Sequence, residues 1–302
     1  MSGRRVDVLG AVLCAAGLGG IVFALIEQPR LGWSSPAILV PLVGGALALG
    51  AFLAYERRAA QPMLTLSLFA RRNFSVGNVE TLAMYAGLAI LFFYLVIFLQ
   101  QVAGYSALEA GVATLPTTLI MFALSSRFGA LADRYGPRLF MGAGPLIAAA
   151  GILLLLRTGL DTSYVTDVLP AVLVFSLGLT MTVAPLTAAV LADADETDAG
   201  IASAVNNAVA RVAGLVGVPI AGVVAASVLV GDTFVADDAS VDAFHRVVVI
   251  CAALLAAGGA VGALGIANPR RVVEAKRCAG GQLVGVPEPA AELAPADLAV
   301  SR

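Results

Sequence analysis

Gly129-Ala130-Leu131-Ala132-Asp133-Arg134-Tyr135-Gly136-Pro137-Arg138 is a short charged island with about 100 residues of mostly apolar sequence on either side. Four hydrophobic spans precede it and four follow. Arg127, Arg134 and Arg138 lie in or beside it. Short loops rich in Lys and Arg stay on the cytoplasmic side of a membrane, so the island fixes the orientation expected for all eight spans.

Composition agrees with that reading. The chain has 302 residues, of which 60% are hydrophobic and only 13% charged, with a mean hydropathy of +0.94. A soluble domain carries about a quarter of its residues as charge, so this chain has roughly half the polar surface it would need. Apolar runs near 20 residues are long enough to cross a bilayer as helices. The expected fold is an all-α polytopic membrane protein of about eight transmembrane helices, with the lipid bilayer as its solvent.

Working outward, the spans are expected at Val8–Ile26, Ala37–Tyr55, Val76–Gln101 and Leu108–Phe128 before the island, then Leu139–Leu156, Val168–Leu191, from beyond Asp198 to Val230, and Val247–Ala267. Val8–Ile26 is too long for the apolar core of a signal peptide and no A-x-A site follows, so it reads as a span. Gly104-Tyr105 marks a turn, and Ser106-Ala-Leu-Glu109 is a capping box that opens the fourth span. Gly136 can take a positive φ and Pro137 suits a first helical turn. Glu27–Pro36 and Gly231–Arg246, the latter with four aspartates, read as outer loops. Gly258 and Gly262, four apart, offer a close-packing face.

Basic residues test this threading. Fourteen of the 18 Lys and Arg fall on the cytoplasmic side, Arg30, Arg157 and Arg246 on the other, and Arg211 inside a span. Both termini are then cytoplasmic, in an integral cell-membrane protein. Residues 1–58 form two spans, 59–74 a cytoplasmic interfacial segment, 75–267 a six-helix bundle, and 268–302 a disordered cytoplasmic tail.

Two ionisable groups lie within spans, where charge is costly and marks function. Glu80 is about five residues into its span; it reads either as a proton-coupling carboxyl or as a group at a wet mouth paired with an arginine. Arg211 lies about twelve residues into its span with Asn206 and Asn207 one turn away. These three either bind substrate or tie the helix to neighbouring carbonyls. Cys14, Cys251 and Cys278 are scattered, His245 has no partner at metal spacing, and neither a nucleophile elbow nor a phosphate loop is present, so no enzyme, metal or cofactor is expected. No basic tract suits nucleic acid.

The island, as G-x-L-x-D-R-x-G-x-R between two spans, resembles the cytoplasmic signature loop of the major facilitator superfamily. Leu99-Gln100, Gly104-Tyr105-Ser106, Leu108, Ala110-Gly111 and Leu115-Pro116 are similar to the 14-helix drug:proton antiporters of that superfamily, the multidrug efflux branch. Pro62-Met-Leu64 with Leu68-Phe69, and Gly200-Ile-Ala-Ser203 with Asn206, Arg211, Gly214 and Gly217, resemble the same branch. Pro137 departs from it, standing where the loop usually carries a second basic residue.

The resemblance implies two linker helices followed by the C-terminal six-helix half of an exporter that exchanges drug-like amphipathic compounds for protons. It also implies that Gly129, Asp133, Arg134, Gly136 and Arg138 form a conformational latch: Asp133 at a neighbouring helix N-terminus, and Arg134 or Arg138 on a cytoplasmic acid. The alternative is a truncated or half-transporter, inactive alone, that serves a separate N-terminal half as a partner.

Overall fold

The structure, a computed structural model, describes residues 7–59, 66–192, 199–229 and 233–268. Its regular elements are helical among those residues, and eight helical stretches are long and apolar enough to cross a membrane. In chain order they are α1 (Val8–Leu31), α2 (Pro36–Glu56), α3 (Arg72–Gln101), α4 (Ala107–Ala113) with α5 (Leu115–Tyr135), α6 (Pro137–Leu153), α7 (Leu169–Ala192), α8 (Ala199–Ala226) and α9 (Asp238–Gly265). The tail, residues 60–65 of the interfacial segment and the acidic stretch 193–198 lie outside the described residues.

Local chemistry sets the boundaries. The Ser106 hydroxyl accepts from the Glu109 N–H at 3.2 Å, and the Glu109 carboxylate accepts from the Ser106 N–H at 2.8 Å. The fourth span is one span but two helices, because Pro116 cannot donate to the ladder and the chain breaks at Thr114. The island is not a loop. Ala130, Leu131, Ala132 and Arg134 favour helix, and α5 runs through them to Tyr135. The break then falls on Gly136 alone, at φ 94°, with Pro137 opening α6.

Two expected outer loops are also shorter than their composition suggests. α1 continues past Pro29 to Leu31 and ends at Gly32, while Arg30 pairs with Glu27 at 2.7 Å. α9 starts at Asp238, because the Asp237 carboxylate caps it by accepting from the Ser240 N–H at 2.8 Å. That adds Asp238–Arg246 to the last helix.

α3 lies at the centre, against α7, α8 and α9, while α6 packs on α7 and α9 and α1 packs on α2 and α8. The main core joins Phe98, Leu99, Ile152, Phe175, Phe244 and Leu255, with Phe98 and Phe244 stacked at 4.2 Å. α6 and α9 approach closely where a Cβ on Gly142 would stand 2.9 Å from that of Ala263. By contrast α1, α2, α5 and α8 leave most of their surfaces uncovered.

Candidate functional site

Glu80 is the anomaly of the bundle. Because α3 begins at Arg72, Glu80 lies eight residues in, about 12 Å along the axis at 1.5 Å per residue. It is 0% exposed, and neither carboxyl oxygen has a hydrogen-bond partner among the described residues. Its side chain lies against the glycine face of α9: a Cβ on Gly262 would stand 2.5 Å from Glu80 Oε2 and 2.7 Å from the Met141 carbonyl oxygen of α6. This is a dry junction of three helices, and the arginine-paired, wetted position does not match it. An ionised carboxylate with no counter-ion there costs several kcal/mol; a neutral carboxylic acid avoids that cost.

The next polar group points the other way. Asn206 on α8 donates through Nδ2 to Thr81 Oγ1 at 2.8 Å and to Asn78 Oδ1 at 3.3 Å. Asn78 and Thr81, three apart, share a face of α3, and Glu80 is rotated about 100° from Thr81. In turn Asn78 donates to the Phe74 carbonyl and Thr81 to the Gly77 carbonyl, both at 2.8 Å. Asn206 therefore ties α8 to α3, which sequence spacing alone did not separate from a substrate role.

Asn207 and Arg211 are not brought to that tie. Both are exposed, on the uncovered side of α8, where Asn207 donates to the Ser203 carbonyl at 3.1 Å. So Asn206 lies in the α3–α8 contact while Asn207 and Arg211 lie on the uncovered side of α8, and Glu80 is turned away from all three, onto α9.

The charged island meets the end of α9. Arg138 Nε donates to the Ala263 carbonyl at 2.6 Å, and the Arg138 N–H donates to Asn268 Oδ1 at 3.1 Å. From α3, Arg72 donates to the carbonyls of Gly265 at 2.7 Å and Leu264 at 3.2 Å. Asn73 and Ala267 exchange two hydrogen bonds, at 3.1 and 2.8 Å. Three consecutive terminal carbonyls of α9 thus accept guanidinium N–H groups, which satisfies orphan acceptors and neutralises the negative end of the helix dipole. Arg138 uses a helix end rather than an acid. Asp133 and Arg134 are exposed on the last turn of α5, with Arg134 over the Tyr135 ring at 5.4 Å. Gly129 sits on the α7 side, its Cβ position 3.8 Å from Ala184. Arg72, Asn73 and Asn268 escape a reading of the island alone; their signal is polar residues placed at span ends.

Comparison with known proteins accords with this architecture. A profile of the Major Facilitator Superfamily matches residues 3–218. The chain is 35% identical over 221 residues to the puromycin resistance protein pur8 of Streptomyces alboniger, covering 71% of this chain and 43% of that protein. It is 32% identical over 218 residues to the cephamycin export protein CmcT of Amycolatopsis lactamdurans, covering 72% and 45%, and 32% identical over 226 residues to the methylenomycin A resistance protein of Bacillus subtilis, covering 73% and 47%. The chain spans less than half the length of these relatives. Eight membrane-length helices, the island at a helix junction and the profile match together place this chain in the Major Facilitator Superfamily of membrane transporters.

Proposed function

We propose that the chain is the C-terminal part of a secondary multidrug efflux antiporter, exporting small amphipathic compounds in exchange for protons. In this reading α1 and α2 are linker helices, α3 to α9 form one six-span bundle, and both termini face the cytoplasm. The observation that carries the reading is Glu80, a carboxyl with no partner among the described residues in a dry three-helix junction. Release of its proton leaves a charge that this packing does not tolerate, so α3, α6 and α9 must rearrange before water can reach it. That links a protonation event to a conformational one, as alternating access requires. The relatives' roles in antibiotic resistance and export support a drug-like cargo.

A second reading, a half-transporter that serves a separate N-terminal half, is favoured by one observation: the uncovered faces of α5 and α8. Alternating access needs two bundles around a cavity. The test of both is drug uptake into inside-out vesicles under an imposed pH gradient, with the chain alone and with six further N-terminal spans supplied in cis or in trans. Uptake is expected only with the second half present. Gradient-driven uptake by the monomeric chain overturns the assignment as part of a transporter, and rescue in trans selects the half-transporter.

A further inference from the structure

The uncovered face of α8 carries a charge pattern that narrows the cargo. At 3.6 residues per turn, Asn207, Arg211, Leu215 and Gly222 fall within about 40° of one line. Arg211 is twelve residues into a 28-residue helix, so it sits near mid-membrane. It is exposed there and forms no hydrogen bond or ion pair with the described residues. An unpaired arginine at that depth faces a cavity or a ligand rather than acyl chains. Glu80, a carboxyl deep in the bundle, is turned onto α9 and is unavailable to this face.

Further along the same line the character changes. Gly222 borders a cleft of about 320 Å³ between α1, α3 and α8, lined by no charged residue. Its aromatic wall is Phe93, Tyr94 and Phe234, with ring centroids 5.1 Å apart for Phe93–Tyr94 and 6.0 Å for Tyr94–Phe234. Gly222 keeps the cleft open: a Cβ there would stand 3.0 Å from the Tyr94 hydroxyl. Eleven residues separate Arg211 from Gly222, about 16 Å along the axis.

We infer that this wall selects elongated organic anions, with Arg211 and Asn207 holding a carboxylate, sulfonate or phosphate group and the Phe93–Tyr94–Phe234 cleft holding an apolar, aromatic end. A guanidinium binds such oxyanions with paired, charge-assisted hydrogen bonds and repels lipophilic cations. The inference rests on the proposed transport function for its biological meaning, but it concerns binding and needs no proton gradient.

The experiment uses the 302-residue chain in nanodiscs of zwitterionic lipid, with helicity checked by circular dichroism. Two fluorescent probes share a dansyl ring and an alkyl spacer; one ends in a carboxylate and the other in a trimethylammonium. Equilibrium titrations are run at one pH on both sides. The anionic probe is expected to bind saturably and at least about tenfold more tightly than the cationic one, the effect of about one charge-assisted hydrogen bond. Arg211→Gln should remove that difference and Arg211→Lys should keep much of it. Gly222→Leu, which fills the cleft, should weaken both probes and leave their ratio unchanged. Equal affinities, tighter cation binding, an unaffected Arg211→Gln chain, or no saturable binding each overturns the inference. Failure of drug:proton exchange in vesicles would leave it standing.

Discussion

Two identical substitutions, one turn apart on α9, should differ in stability because of what each glycine faces. A Cβ at Gly262 would stand 2.5 Å from Glu80 Oε2, 3.0 Å from Glu80 Cδ and 2.7 Å from the Met141 carbonyl oxygen. The carboxyl can swing, but the carbonyl belongs to the α6 backbone and cannot move without shifting that helix. A Cβ at Gly258 would meet the Ala83 Cβ at 3.3 Å, with its other neighbours at 3.7 Å or beyond, a contact relieved by a few tenths of an ångström. Gly→Ala within a helix gains about 1 kcal/mol in both cases. Overpacking costs about 1–3 kcal/mol at Gly262 and close to none at Gly258. Gly262→Ala should therefore be less stable than Gly258→Ala by about 2 kcal/mol, with Gly258→Ala equal to or above the parent chain. The assay is thermal unfolding of the detergent-purified chain, following helicity and monodispersity together. In a Glu80→Ala background the gap should shrink, because only the Met141 contact remains. Equal stabilities, or the reverse order, would refute the close packing of α9 at Gly262 against Glu80 and the Met141 carbonyl.

Other outcomes follow from the same geometry. With Cys14, Cys251 and Cys278 replaced, a cysteine at Ala236 should react with an impermeant thiol reagent on intact cells and one at Ser67 should not; both positions are exposed, and reaction of both from outside would contradict the eight-span threading. Asn206→Leu removes the α8–α3 tie and should cost about 1 kcal/mol in thermal stability, whereas Asn207→Leu should change stability little. Asp133→Asn in a complete transporter should lose efflux while retaining membrane insertion, since acidic residues contribute little to orientation; normal efflux would reduce the island to a topology signal.

Much of the fold is legible in the sequence because its signals are strong and local. Spans follow from apolar runs of membrane length, and the Ser106–Glu109 box and the Gly136-Pro137 break follow from residues whose backbone preferences are narrow. What composition obscures is helix length at span ends. Charged stretches such as Asp238–Arg246 and Ala130–Tyr135 look like loops, yet they contain good helix formers and meet no breaker until Asp237 or Gly136. The site is less legible for a geometric reason. Sequence spacing puts Asn206, Asn207 and Arg211 within about a turn of each other, but which of them faces α3 depends on how α8 is rotated. That rotation is set by Ala202, Val205, Ala213 and Gly217, which bury themselves. Likewise Glu80 reads either as a proton-coupling carboxyl or as a group at a wet mouth until the start of α3 at Arg72 and the glycine face of α9 place it in a dry junction. The end of α9, held by Arg72, Asn73 and Arg138, joins residues more than 120 positions apart in the chain, which no local pattern announces.

Whether the Glu80 carboxyl carries the coupled proton is tested most directly by drug-induced proton movement. A complete transporter containing this chain is reconstituted in liposomes loaded with a pH-sensitive dye, and a drug gradient is imposed without a pH gradient. The parent protein is expected to move protons against the drug flux. Glu80→Gln, which keeps the shape of the side chain but cannot release a proton, is expected to abolish proton movement while drug binding persists. Undiminished proton movement by the Glu80→Gln protein would contradict proton coupling through Glu80.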